Sequence, residues 1–497
     1  MTQPSRSLPS LFPVAAAPWM ALACVAAWVL FGGALDQAQH GDNFEQFNWA
    51  HSLEWGYHKH PPLPTWLLGL WQRVWGESPS ATLFVAGLCG LATGACTWLI
   101  GRALMGPRLA GIAVLLWGLH HAYSWKAQVL NHNTVMMTCI AACAFAAITA
   151  LRTQGRASTL AWVGVGLAGG LALLAKYQSA IALAGILLAL GHGGAWRQRR
   201  HVVGTVGAVL LALGLFAPHL VWLVQHDFIT LKYASQSAQN LDLGDRLWRI
   251  TVFLLLQARV MVALLACAGL WWLWQRLAQA GPLPADEVVV DTAVPRRSWL
   301  FGLVVFPLGT VLLVCLLGGV KLQDHWGFQP LQFISLLLAW QLRGVAAGGL
   351  GRLALLALVA HGALAATWSR PVWSAHSSQH ASRTNQYFFP AQPLTDAVMA
   401  DWRAVTSCPL RYVVGPPFEA GIVSVYSRTG AVVFENGAPA KSPWVDPVAL
   451  ASAGAVVIER DVPPAAPGAV KRGQADPARR GEVTHWAIVP PQRPCPP

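Results

Sequence analysis

The chain has 497 residues, of which 55% are hydrophobic and only 11% charged, and its mean hydropathy is +0.45. A soluble domain carries about a quarter charged residues, so this composition excludes a wholly water-soluble protein, and much of the chain must use lipid as its solvent. The formal net charge of +13 rests on 34 Lys and Arg against 21 Asp and Glu. The arginines lie in short loops between apolar runs and not on one polar face, which argues for membrane orientation and against a nucleic-acid partner.

A membrane span needs about 20 apolar residues. In chain order, the runs at 13–35, 80–104, 108–125, 133–151, 159–175, 177–194, 202–224, 250–275, 298–319, 328–343 and 349–368 predict about eleven transmembrane helices. The first run is long enough to span and lacks a small-residue cleavage site, so it reads as a helix and not as a removable signal. Alternate loops hold Arg102 and Arg108, Arg152 and Arg156, Arg197 to Arg200, Arg276 to Arg297, and Arg343 and Arg352. By the positive-inside rule these face the cytoplasm, and Trp271, Trp272 and Trp274 read as an anchor at that boundary. The other loops are Asp36–Pro62, Trp125–Asn133, the Lys176 turn, His226–Arg249 and Lys321–Trp326. They hold most of the His, Asp, Glu and Asn and face outward, to the periplasm of a bacterial inner membrane.

The division expected is a transmembrane unit over 1–368 and an extracytoplasmic unit over 369–497. In the second, Leu410–Gly415, Ala431–Asn436 and Ala455–Arg460 read as strands, with Val483–Val489 as a fourth candidate. Phe418–Tyr426 and Asp446–Ala453 read as helices, giving a small α/β domain, and the Pro- and Ala-rich end reads as loosely ordered. Of nine Cys, seven lie in apolar stretches and behave as small hydrophobes. Cys408 and Cys495 lie in the polar tail, and in an oxidising compartment they are expected to form a disulfide.

Chemistry concentrates in the first outer loop, residues 36–66. It packs Asp36, Asp42, Glu45 and Glu54 with His40, His51, His58, Lys59 and His60. Asp42, Glu45, Trp49 and then Leu53 and Gly56 or Tyr57 fall at helical spacing, which predicts a helix along the membrane surface stopped by Pro61-Pro62. Two readings stand: a solvated loop with an aromatic belt, or a catalytic loop whose carboxylate is a base or metal ligand and whose His and Lys receive phosphate.

The run DNFEQFNWAHSLEWGYHKHPPL (Asp42–Leu63) resembles the first external loop of the GT-C-type membrane glycosyltransferases, the group that includes protein O-mannosyltransferase and lipid A aminoarabinose transferase relatives. WVGVGLAGGLALLAKYQSA (Trp162–Ala180), PHLVWLVQHDFITLKY (Pro218–Tyr233) and DHWGFQP (Asp324–Pro330) resemble further pieces in the same order. The resemblance implies transfer of a sugar from a polyprenyl-phosphate carrier, the donor substrate, to a glycan, lipid or protein acceptor. It places the catalytic acid at Asp42, with Glu45 second. The family commonly has an Asp-Glu pair where this chain has Asp42-Asn43, and many relatives have an Asp in the second outer loop where Asn131, His132 and Asn133 stand. These positions lack the second acid of a two-acid metal site, and Asp42 reads as base or as ligand of a divalent metal ion.

The candidate ligands of the carrier phosphate are Lys59, His60, Lys176, His226 and Arg259; Arg259 lies inside an apolar run, where a charge is a functional hypothesis by default. Lys176 could instead snorkel to the interface. Asn131 and Asn133 can hydrogen-bond sugar, and Tyr177 and His325 complete the set of substrate-binding candidates. Competing readings are a transporter or lipid flippase, expected to show inverted repeats and mid-membrane helix breaks, and a lipid-linked oligosaccharide polymerase or ligase, expected to carry a large external loop between late spans. The sugar, the acceptor and the oligomeric state are open at this level.

Overall fold

The computed structural model describes residues 12–235, 241–289, 291–373, 386–476, 481–492 and 495. Its order begins with α1 (Ala16–Leu35), α2 (Gly41–Ala50), α3 (Leu63–Trp75), α4 (Ala81–Met105), α5 (Pro107–Trp117) and α6 (His132–Arg152). The next six are α7 (Gly155–Ala175), α8 (Ser179–His192), α9 (Arg199–Gln225), α10 (Ile229–Ser235), α11 (Leu243–Val260) and α12 (Val262–Leu277). Then come α13 (Arg296–Gly318), α14 (Ile334–Val345) and α15 (Leu350–Trp373).

Among the described residues, seven helices (α1, α4, α6, α7, α9, α13 and α15) are long and apolar enough to cross a membrane. The pair α11 and α12, bent by 65° at Met261, makes an eighth if it is one span. The sequence runs at 108–125, 177–194 and 328–343 form the shorter apolar helices α5, α8 and α14. The run at 108–125 is cut at Trp117 because Gly118 leads into a polar turn, where His120 caps a single helical turn and Asn131 caps α6.

Small residues let these helices approach. A Cβ on Gly185 of α8 would collide with the Gly302 carbonyl oxygen, so at that crossing only glycine allows backbone to meet backbone.

The loops gather at two ends. At one, Arg108 pairs with Glu287 (3.1 Å) and Arg152 with Asp291 (2.9 Å). There Arg296 and Arg343 lie over the Trp340 ring, 3.4 and 4.1 Å from its centre. Trp271 is fully buried, while Trp272 and Trp274 are exposed and carry Arg276 and Arg352 over their rings, as expected of an interfacial anchor. The acids and histidines of the other loop set meet at the opposite end.

The surface helix predicted across the first outer loop is shorter than its spacing suggests. α2 stops at Ala50, and the 51–62 segment is a set of turns fixed by Trp49 stacking on Tyr57 and by the Tyr57 hydroxyl donating to the Ser52 carbonyl (2.7 Å). The prolines do not stop α2; Pro62 instead opens α3, a helix that the sequence does not predict. Its exposed Leu70, Val74 and Trp75 turn an apolar face outward, which a short run in a polar loop does not announce.

The C-terminal unit holds α16 (Ala391–Val405), β1 (Tyr412–Gly415), α17 (Pro417–Ser427), β2 (Val432–Glu435), α18 (Pro447–Ala453), β3 (Ala455–Arg460), β4 (Lys471–Ala475) and β5 (Thr484–Val489). The sheet order is β2-β1-β3-β5-β4. β2, β1 and β3 run parallel, β5 is antiparallel to β3, and β4 to β5. Cys408 and Cys495 are disulfide-bonded, with Cα atoms 5.3 Å apart. Helix α16 and strand β4 are additions to the elements expected from sequence. The Pro- and Ala-rich end falls partly outside the described residues.

This unit seats on α2. Phe44 meets Phe418 edge-on at 5.5 Å, Asn48 donates to the Pro417 carbonyl (3.2 Å), and Gln386 accepts from the Gly41 amide (2.6 Å). A Cβ on Gly421 would be 2.8 Å from that of Phe44, so α17 reaches α2 only because it has glycine there.

Candidate active site

Asp42 occupies the first turn of α2, where a carboxylate is favoured by the helix dipole. One oxygen accepts from the Asn131 side-chain amide at 2.8 Å, and His40 Nδ1, the N-cap acceptor of α2, lies 3.6 Å from the other. The side chain keeps 42% of its accessibility although loops surround it, so it lines an open recess. Burial opposes ionisation, but His40, the Asn131 hydrogen bond, Lys126 and His325 outweigh it and hold the carboxyl down at about 2.

The two asparagines have separate tasks. The Asn131 oxygen caps α6 by accepting from the Asn133 and Thr134 amides, which leaves its NH2 for Asp42. Asn133 accepts from Lys176 Nζ at 2.7 Å. An Asp at position 131 would cap the helix equally well but would turn a carboxylate toward Asp42. Asn43, which stands where the family commonly has a second acid, is fully buried as a strut. It donates to Gln39 (3.0 Å) and to the Gln128 carbonyl (3.3 Å) and accepts from the Leu130 amide (2.8 Å), locking the first outer loop to the second.

Lysines and imidazoles surround the recess. Lys176, His325 and Lys126 all act electrostatically on groups around Asp42. Burial pulls Lys176 down to about 8, with Asp42 opposing the fall. His60 packs on His132 with ring centres 4.0 Å apart, and burial together with His132 and Lys176 holds its pKa well below the ordinary value. Arg259 is exposed in the last turn of α11, at the 65° break, and acts on His121, which also faces Lys126 and Asp324.

Glu45 lies one turn beyond Asp42 and is held by Lys59. Burial raises it to about 7 despite that partner, with Asp42 and Glu435 adding to the rise. Lys59 also lies over the Tyr233 ring at 5.8 Å. Beside this pair, His58 Nε2 is 3.5 Å from buried Glu435 of β2; burial lowers His58 to about 3 and raises Glu435.

Two candidates lie apart from Asp42. Tyr177 bonds His219 and Thr230, each at 2.7 Å, and His219 Nδ1 contacts the Trp55 carbonyl at 2.6 Å, so Tyr177 braces the first loop against α9. His226 stacks on Trp222 and hydrogen-bonds the Trp222 carbonyl (2.8 Å), both within its own helix end. His40, Asn43 and Lys126 join the site without being among the residues expected there from sequence. Lys126 has a signal, being the sole Lys or Arg in the Trp125–Asn133 loop.

Among the described residues, no three His, Cys, Asp or Glu side chains converge as a metal site. Around Asp42 stand His40, His325, Lys126 and the Asn131 NH2, a set poor in the oxygen ligands that a hard divalent ion takes.

Residues 59–222 match the sequence family described as dolichyl-phosphate-mannose-protein mannosyltransferase. A lipid A galacturonosyltransferase, RgtD, from Rhizobium johnstonii is 24% identical over 48% of this chain and 49% of its own length. A lipopolysaccharide core galacturonosyltransferase, RgtA, from the same organism is 28% identical over 37% of this chain and 36% of its own. The chain therefore spans about half the length, or less, of the curated relatives it matches. The fold is similar to that of ArnT from Cupriavidus metallidurans, at TM-score 0.61, 15% identity and coverage of 95% of this chain and 98% of that one. The same protein bound to undecaprenyl phosphate gives a TM-score of 0.58 at 14% identity, with 97% and 100% covered. Over nearly its whole length the chain thus has the fold of a polytopic membrane protein similar to ArnT, and over residues 59–222 it matches the mannosyltransferase family.

Proposed function

We propose that this chain transfers a sugar from a polyprenyl-phosphate donor to an acceptor at the outer face of the cytoplasmic membrane, with inversion at the sugar carbon. The observation that carries the reading is the recess around Asp42: an accessible carboxylate held ionised, with Lys126, His325 and Lys176 acting on it or facing it. Such a site accepts a hydroxyl proton on one side and takes up a phosphate on the other.

In this reading the acceptor oxygen attacks the anomeric carbon from the face opposite the carrier. The bond from that carbon to the phosphate oxygen breaks, and polyprenyl phosphate leaves with the electron pair. Asp42 receives the acceptor proton, or orients the acceptor where its nucleophile is already an ionised phosphate. Lys176 and the neighbouring cations stabilise the charge growing on the leaving phosphate. Glu45 has the pKa nearer neutrality, but Lys59 occupies it, and reach precedes basicity in choosing a base. The undecaprenyl phosphate held by the ArnT neighbour supports the donor class. The relatives acting on lipid A and lipopolysaccharide core support an acceptor of that saccharolipid class.

Counting α5, α8, α11 with α12, and α14 as crossings gives eleven. The Asp42 end and the C-terminal unit then face the periplasm, and the arginine end faces the cytoplasm. The disulfide in the C-terminal unit agrees with that side.

The test is transfer by purified protein in membrane mimetics, supplied with a panel of polyprenyl-phosphate sugars and lipid A, comparing the wild type with Asp42→Asn. Loss of transfer in the variant is expected. Full activity of Asp42→Asn would remove the base, and failure of every phospho-sugar would remove the reaction.

A further inference from the structure

A second polar cavity lies at the outer end, away from Asp42. Its volume is about 540 Å³, within the range of ordinary ligand sites. Three separate pieces build it. The end of α2 gives Phe47, Ala50 and His51; α3 gives Gly69, Gln72 and Arg73; and the C-terminal unit gives Ser424 and Val425 of α17 with Arg428. Glu77 closes the rim.

Its charge and position point to one class of ligand. Arg73 and Arg428 are both exposed, and among the described residues neither has an ion-pair partner. Arg428 holds a left-handed backbone (φ 56°) at the end of α17, a turn that starts its side chain from the mouth of the cavity. Gly69, Gln72 and Arg73 share one face of α3, and Leu70, Val74 and Trp75, exposed by 58, 60 and 67%, occupy the other side. A helix so divided lies in the bilayer interface with its apolar side among acyl chains. The arginines are thereby set at headgroup level, where a guanidinium fork matches phosphate.

The cavity is also wired to the recess. Its lining residue Pro79 accepts from the Gln39 side chain, Asn43 donates to Gln39 at 3.0 Å, and Asn43 adjoins Asp42. His51 and Asp42 stand at opposite ends of α2, roughly 14 Å apart along the axis at 1.5 Å per residue.

We propose that this cavity is a docking site for the phosphorylated sugar headgroup of a membrane-anchored glycolipid. Its identity as the acceptor rests on the transfer reaction proposed above. One phosphorylated end is held by Arg73 and Arg428, and the length of α2 sets which distant group of the same headgroup reaches Asp42.

The experiment measures binding of diphosphorylated lipid A to the full-length protein in detergent, without donor. Dephosphorylated lipid A, phosphatidylglycerol and inorganic phosphate are the comparison probes. The double variant Arg73→Gln/Arg428→Gln is expected to bind lipid A at least ten-fold more weakly. Glu77→Gln, which removes the rim carboxylate, is expected to bind it more tightly. No donor is present, so binding is read whether or not transfer occurs. Unchanged affinity in the double variant would overturn the proposal. So would equal affinity for dephosphorylated lipid A, or competition by inorganic phosphate or phosphatidylglycerol at the same concentration as lipid A. If binding behaves as expected but no donor supports transfer, the reaction fails and the docking site stands.

Discussion

Asp42 and Glu45 are carboxylates one helical turn apart, yet their surroundings push them in opposite directions. Asp42 is open to the recess, bonded to an amide, faced by Lys126 and two imidazoles and held at about 2. Glu45 is enclosed, bound to Lys59, crowded by Glu435 and raised to about 7. The difference separates two jobs that the sequence sets side by side. One acid is accessible from the recess, and the other lies at a seam between the loop and the C-terminal unit. Composition alone cannot make this distinction, because both are acids on one short helix.

The comparison breaks most sharply on activity. Asp42→Asn should lower transfer by about 10²–10⁴-fold, the usual worth of a positioned base, while Glu45→Gln should lower it by less than about ten-fold. Turnover of both variants at saturating donor is the measurement, and the reverse ranking would exchange their roles. Lys176→Met should come next, raising the donor KM by about ten-fold or more through loss of a charge-assisted phosphate contact. The wild-type kcat/KM should also fall as pH rises through about 8, where Lys176 loses its proton, and the variant should lack that limb.

The acid side of the pH profile sharpens the same contrast. With Asp42 as base, the rate should hold between pH 7 and 5, because its carboxyl is ionised throughout. With Glu45 as base, the rate would halve near 7 and keep falling. Stability follows Glu45 with its own sign. An acid raised in the folded state favours folding below its unfolded value near 4.5, and this contribution is lost as pH rises through about 7. A smaller catalytic effect is expected for Glu435→Gln, a few-fold loss of kcat with faster hydrogen exchange across α2. Exchange unchanged in that variant would show that the seam does not hold the loop. Replacing both disulfide cysteines by Ser should leave turnover intact and destabilise the C-terminal unit by about 2–4 kcal/mol, read by denaturant melting.

Long apolar helices are the most legible part of the fold. α1, α4, α6 and α9 lie within a few residues of their hydrophobic runs, since lipid demands an unbroken apolar length. Elements that answer to a boundary instead of a solvent are not legible. α3 sits half in the interface, α16 packs only one face, and β4, KRGQA, is an edge strand with no apolar alternation. For the site, chain order points to Asp42, Lys176, Asn131, Asn133 and His325, because a charged or amide residue in an outer turn stands out. Asn43 looks like the loss of an acid when read alone. Its strut function depends on Gln39, Gln128 and Leu130, and two of those lie more than eighty residues away in the chain. His226 carries the right chemistry but is turned onto its own helix end by Trp222.

The seating of the C-terminal unit on α2 also sets a timetable. Gly41, one residue before Asp42, is tied to Gln386 across 345 positions, and His58 waits for Glu435. A ribosome finishes the membrane helices before it supplies either partner. During synthesis the first outer loop therefore exists without these two ties, which form only after the last domain has folded onto it. A chain stopped short of that domain would keep the contacts of Asp42 with His40 and Asn131 but lack both of these ties.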